Sequence, residues 1–110
     1  MTEFVENLHE VFASFGTLST RRMFGGFGVY HDGLMFGLVA DDELYLKADN
    51  QSASLFVDRG LAPFRYWRNG KTLQMSYYRA PDVVFDDAEQ AREWAVRAYE
   101  AACRAGKSRR

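Results

Sequence analysis

At 110 residues, 47% of them hydrophobic and 15% aromatic, the chain is long enough to bury one core and too short for several domains. A formal net charge of −1 argues against a surface that grips nucleic acid throughout, while leaving room for a local basic patch. The lone cysteine, Cys103, excludes an internal disulfide, and no run approaches the roughly 20 apolar residues of a membrane-spanning helix. Met1 to Glu10 carries three acidic residues and no apolar run, so no signal peptide and a cytoplasmic location are expected. Residues 1–110 are expected to form one domain with a short basic tail, 107–110.

Phe4, Leu8, Val11, Phe12 and Phe15 recur at helical spacing, which predicts a helix over 3–15 capped by Thr2 and ended by Gly16. The glycine-rich, aromatic stretch 22–31 reads as a strand, and Asp32-Gly33 as a tight turn into a second strand, 34–40. With that turn as the loop, Val29 faces Phe36 and Phe27 faces Leu38 on one side of the sheet. Gly28, Tyr30, Met35, Gly37 and Val39 take the other. A third strand, 43–48, brings Leu44 and Leu46 to the Phe27/Phe36 side if Asp41 to Glu43 is a three-residue loop, the register preferred here. Residues 50–59 read as a short helix capped by Asp49 or Asn50 and stopped by Gly60.

Asn69-Gly70 predicts a second hairpin, 63–68 with 71–79, pairing Tyr66 with Leu73 and Phe64 with Met75. Phe64, Tyr66, Met75 and Tyr77 would then face the core, and Arg65, Trp67, Thr72, Gln74, Ser76 and Tyr78 the reverse. After Pro81, Asp86 or Asp87 opens a last helix whose stripe is Ala91, Trp94, Ala95, Ala98, Tyr99 and Ala102, with Gly106 at its end. The order α-β-β-β-α-β-β-α with short hairpin loops predicts an α+β fold: two layers, a mainly antiparallel sheet of about five strands, and helices on one face.

Two places carry candidate chemistry. Arg21 and Arg22 beside Gly25 and Gly26 suit an anion, because backbone N–H groups of a glycine-rich turn and arginine forks both take phosphate. The plainer account is a strand bend with solvated arginines, and no Gly-Lys-Ser/Thr follows to make a P-loop. The reverse sheet face gathers Tyr30, Met35, Tyr45, Arg65, Trp67 and Tyr78, residue types that suit a protein partner or a second copy. Aromatics among basic groups also suit stacked single-stranded bases, although Asp41, Asp42 and Glu43 close by weigh against that. Arg68 and Lys71 belong to the same nucleic-acid alternative. A third alternative is a small-molecule or enzymatic site in a trough left by Gly28 and Gly37.

Cys103 reads as a small helix residue rather than half of a Cys–His pair. His9 and His31 have no partner at metal-ligand spacing, and the G-x-S-x-G, H-E-x-x-H and C-x-x-C patterns are absent. No catalytic residue, metal or cofactor is therefore expected.

Arg21-Arg-Met-Phe-Gly-Gly-Phe-Gly-Val-Tyr30, Asp32-Gly-Leu-Met-Phe-Gly-Leu-Val-Ala-Asp-Asp42, Leu44-Tyr-Leu-Lys47, Pro63-Phe-Arg-Tyr66 and Met75-Ser-Tyr-Tyr78 together resemble the N-terminal domain of the TfoX (Sxy) competence regulators, over roughly residues 5–103. The resemblance implies a bacterial protein with an antiparallel α+β fold and no catalytic residues to map. It also implies a link to regulators that switch on DNA-uptake genes, here as a stand-alone domain. The expected function is a non-catalytic regulatory or adaptor module acting through protein contact or self-association.

Overall fold

The computed structural model describes residues 2–23 and 25–108, so Arg109 and Arg110 of the expected tail lie outside the described residues. The elements are α1 (Glu3–Val11), β1 (Ser19–Met23), β2 (Gly26–His31), β3 (Leu34–Ala40), β4 (Glu43–Lys47), α2 (Ala53–Val57), β5 (Pro63–Arg68), β6 (Lys71–Arg79) and α3 (Ala88–Ser108), with a 3-10 turn at Asp82–Phe85. The strands form one sheet, ordered β1-β2-β3-β4-β6-β5 and antiparallel at every pairing. The α+β class is as expected from the sequence. The sheet has six strands rather than about five, because 22–31 is not one strand. Gly25 takes a φ of 77°, a left-handed backbone that glycine tolerates, and Met23 pairs back onto Gly26.

The β2–β3 register differs from the expected one. Tyr30 pairs with Met35 but Val29 pairs with Gly37, so Phe36 is an extra residue opposite none of β2. This β-bulge reverses the inside–outside alternation along β3. Leu34, Phe36 and Val39 join the helix-side core, while Met35, Leu38 and Ala40 point to the other face. Leu38 was expected beside Phe27 and Val39 opposite it, and the bulge exchanges them. The β3–β4 loop is also shorter than expected. Ala40 pairs with Glu43, and the two loop residues Asp41 and Asp42 take φ values of 52° and 57°. Leu44 and Leu46 still enter the core, because the bulge offsets the shorter loop.

All three helices pack on one side of the sheet. Val5, Leu8 and Phe12 near α1, Phe56 of α2, and Ala91, Trp94, Ala95, Ala98 and Ala102 of α3 meet Val29, Phe36, Val39, Leu44 and Leu46 in one buried core. Thr2 caps α1 by accepting the Val5 N–H, and Asp87 accepts from the Glu89 and Gln90 N–H groups at the start of α3. Helix α1 ends at Val11 rather than at Phe15, and the chain turns through Phe12 before Gly16. Helix α2 is shorter than 50–59, and α3 runs past Gly106 instead of stopping there. No described helix is long and apolar enough to cross a membrane.

The second hairpin turns on Asn69 and Gly70, both at positive φ, and pairs Tyr66 with Leu73 as expected. Its faces are inverted relative to the expectation. Tyr78 stacks on Phe56 with ring centroids 5.4 Å apart, on the helix side. Phe64, Tyr66, Met75 and Tyr77 lie on the opposite face. The cause is non-local. Tyr77 and Tyr78 are adjacent and both aromatic, and pairing of Leu46 with Tyr78 decides which of the two goes under the helices. The expected Phe64–Met75 pair is replaced by a second irregularity, in which Pro63 meets Tyr78 and Arg65 meets Gln74.

Candidate functional site

The face of the sheet turned away from the helices carries its own apolar cluster. Leu38, Phe64 and Tyr77 are buried there by side chains of the same face, with Met23, Met35, Ala40, Tyr45, Tyr66 and Met75 partly buried around them. No helix residue belongs to this cluster among the described residues. Tyr45 packs edge-on to Phe64 at 5.1 Å, and Phe64 stacks with Tyr66 at 6.0 Å. The Gly28 position, where a Cβ would lie 2.8 Å from Met23 Cε and 3.0 Å from the Tyr30 ring, lets those two side chains settle on the strand.

Cations border the cluster. The Lys47 ammonium lies 5.2 Å from the centre of the Tyr77 ring and donates to Ser76 Oγ, and Arg21 lies 5.6 Å from that of Tyr30. Burial, with a smaller contribution from Tyr30, pushes the Tyr77 hydroxyl up to about 12. The Tyr45 hydroxyl is also raised, first by burial and then by its hydrogen bond to Glu43 Oε2 at 3.1 Å. Glu43 in turn pairs with Arg79 at 3.4 Å. The surface is a platform of rings and thioethers rimmed by charge, with the composition of a contact patch.

A family model described as the TfoX N-terminal domain matches residues 10–102. The chain belongs to this family. It is 33% identical to Protein Sxy of Escherichia coli (strain K12) over 76 residues, covering 69% of this chain and 36% of that protein. It is 26% identical to the DNA transformation protein TfoX1 of Aliivibrio fischeri (strain ATCC 700601 / ES114) over 83 residues, covering 72% of this chain and 40% of the relative. The match thus spans two-fifths or less of either relative.

Within this TfoX N-terminal domain, the six residues expected to share one partner face are divided. Met35 and Tyr45 lie in the reverse cluster, and Tyr30 sits at its edge beside Arg21. Tyr78 is on the helix side under Phe56. Arg65 and Trp67 are exposed on the outer hairpin. Sequence reasoning missed Leu38, Phe64, Tyr66, Tyr77, Met23 and Met75 as members of the uncovered face. The signal lay in the alternation of Phe64, Tyr66, Met75 and Tyr77, which was assigned to the wrong side.

The expected anion site is not assembled as a unit. Arg21 pairs with Gly28 and leans toward Tyr30, whereas Arg22 pairs with Phe27 and lies 5.9 Å from that ring on the other face. Arg22, Gly25 and Gly26 line a cleft of about 470 Å³ with Thr2, Met23 and Phe27, and Arg21 is not among its walls. The expected trough is not formed either. Met23 and Tyr30 fill the space over Gly28, and a Cβ on Gly37 would meet Val29, a helix-side core residue. Cys103 is half-buried near Tyr99, whose hydroxyl is raised by burial first and by Cys103 next. His31 Nδ1 lies 2.8 Å from the Thr17 carbonyl, and its ring packs between Phe15 and Tyr99.

Proposed function

We propose that this chain is a non-catalytic regulatory or adaptor module that acts by protein contact, docking a partner or a second copy on the face of its sheet that no helix covers. The observation that carries this is the cluster around Leu38, Phe64 and Tyr77 on the helix-free side. A sheet normally hides such a face under a second layer, and aromatic rings and methionines are enriched in protein interfaces, whose rims are polar. The relative from Aliivibrio fischeri is named a DNA transformation protein. A role in regulating DNA uptake is carried over from that family as part of this proposal.

The test uses half-buried residues of the platform, so that the fold persists. Met35→Ser with Tyr66→Ser is compared with the parent by sedimentation velocity across a concentration series, and by chemical cross-linking in its own cell. Self-association, or one discrete cross-linked partner, should be present in the parent and lost in the variant, with an unchanged circular dichroism spectrum. Retention of the same complexes by the variant would overturn the proposal.

A further inference from the structure

Strand β6 is longer than the sheet it joins. Tyr77, Tyr78 and Arg79 pair with β4, and the Ser76 carbonyl accepts the Ala48 N–H at 2.9 Å. From Lys71 to Gln74, pairing is with β5 only. The β5–β6 hairpin therefore projects past the end of β4 as a two-stranded ribbon. Its two sides are chemically different. Phe64 and Tyr66 turn to the reverse-face cluster. Arg65 pairs with Gln74 and Trp67 with Thr72, placing these four on the other side, and all four are exposed.

Trp67 is 72% exposed, the most open of the large apolar side chains described. Arg65 and Arg68 flank it in sequence, and Lys71 pairs with Arg68 at the tip. From Pro63 to Tyr78 the chain contains three cations and no Asp or Glu, in a protein of net charge −1. The acidic residues that weigh against single-strand binding on sequence grounds are Asp41, Asp42 and Glu43, and the Asp41–Asp42 loop lies away from this ribbon. It precedes β4 at the Glu43 end, next to Arg79, whereas the ribbon leaves from the Lys47–Ala48 end. Asp49, which lines a cavity with Gln74, Met75 and Ser76 at the ribbon's base, is already engaged by Arg104.

We infer that this ribbon is a binding surface for single-stranded nucleic acid, with Trp67 stacking on a base, Arg65 contacting a phosphate on the same side, and Arg68 and Lys71, the last pair before the turn and on the opposite side by strand alternation, taking phosphates as the strand passes round the tip. An open indole on a ribbon that carries three cations and no Asp or Glu matches what unpaired strands present, a π-face on every base and a charge on every link. A duplex hides its base faces and would leave the indole without a contact. The stacking residue lies on the side of the ribbon away from the reverse-face platform.

The test titrates the 110-residue protein with an oligo(dT) strand and with a duplex of the same length, reading anisotropy of the labelled nucleic acid and tryptophan emission. The exposed Trp67 should be quenched by oligo(dT), while Trp94, 2% exposed, keeps its emission and reports an intact core. With three phosphates contacted, the logarithm of the association constant should fall against the logarithm of salt with a slope of about −2. Trp67→Ala should weaken binding by about five-fold to one-hundred-fold. Removing Arg68 alone should make the salt slope shallower by about 0.7. No binding at low ionic strength, equal binding by Trp67→Ala, or a duplex that binds as tightly as oligo(dT) would each overturn the inference.

Discussion

Arg104 of α3 grips Asp49 with two hydrogen bonds, from Nε to Oδ2 at 2.5 Å and from a terminal nitrogen to Oδ1 at 3.0 Å. The same carboxylate accepts the N–H groups of Gln51 and Ser52, so it caps the turn before α2 while tying that turn to the last helix. The guanidinium, against an opposing effect of burial and with help from the backbone donors, holds the carboxyl down at about 2 from its ordinary 3.8. A depressed carboxylate contributes stability that is complete above its unfolded value and is lost as pH falls through the folded one. The parent should therefore lose stability between pH 3.8 and about 2 more steeply than Asp49→Asn. Thermal midpoints of both proteins across that window check this, and parallel curves would contradict it. Asp49→Ala also removes the cap, which should cost about 0.5–2 kcal/mol at neutral pH.

Gly26 and Gly28 should differ sharply in their tolerance of alanine. A Cβ at Gly26 would lie 2.0 Å from the Val39 carbonyl oxygen, part of the β3 backbone, which cannot move aside without breaking strand pairing. At Gly28 the nearest atom is the tip of the Met23 side chain at 2.8 Å, which can rotate away, followed by the Tyr30 ring at 3.0 Å. Gly26→Ala should unfold the protein or lower its stability by several kcal/mol, and Gly28→Ala by about 1–2 kcal/mol. Urea denaturation of the pair measures the contrast, and equal losses would contradict the β2–β3 geometry.

Tyr78 and Trp67 looked equivalent as surface residues and should behave oppositely. Tyr78 stacks on Phe56, which also meets Trp94 edge-on at 5.1 Å, so Tyr78→Ser opens the helix-side core. A loss of about 2–4 kcal/mol is expected for Tyr78→Ser, and a change within about 0.5 kcal/mol for Trp67→Ser. Denaturation midpoints at fixed cooperativity decide it.

Burial should delay loss of the Tyr77 proton to about pH 12. Its folded value of about 12 against an ordinary 10.0 means the stabilisation it gives is whole below pH 10 and disappears as pH rises through 12. Phenolate absorbance of the parent and Tyr77→Phe, recorded as pH is raised, should differ by one late-titrating group. Tyr77→Phe should also resist alkaline unfolding better than the parent.

Much of the fold was legible because it is written locally. Thr2 and Asp87 announce helix starts, Asp32-Gly33 and Asn69-Gly70 announce turns, and the alanine stripe of α3 follows from helical period alone. What was not legible depends on contacts between distant segments. The Phe36 bulge adds one residue without any local mark, and it exchanges the faces of Leu38 and Val39 in the rest of β3. The second hairpin enters the sheet through two neighbouring aromatics, Tyr77 and Tyr78, and only its alignment with Leu46 says which of them the helices cover. Hence Met35 and Tyr45 were placed correctly on the uncovered side, while Tyr78 changed places with Tyr77.

Among the described residues the sheet does not close on itself, so β1 and β5 are its edge strands, each with a neighbouring strand on one side only. Such margins invite copies of a protein to zip into fibres. Here one margin carries Arg21 and Arg22, and the other begins with a proline and carries Arg65 and Arg68. Margin-to-margin growth would bring like charges together, so the protein should stay dispersed at low ionic strength and become more prone to aggregation as salt masks that repulsion.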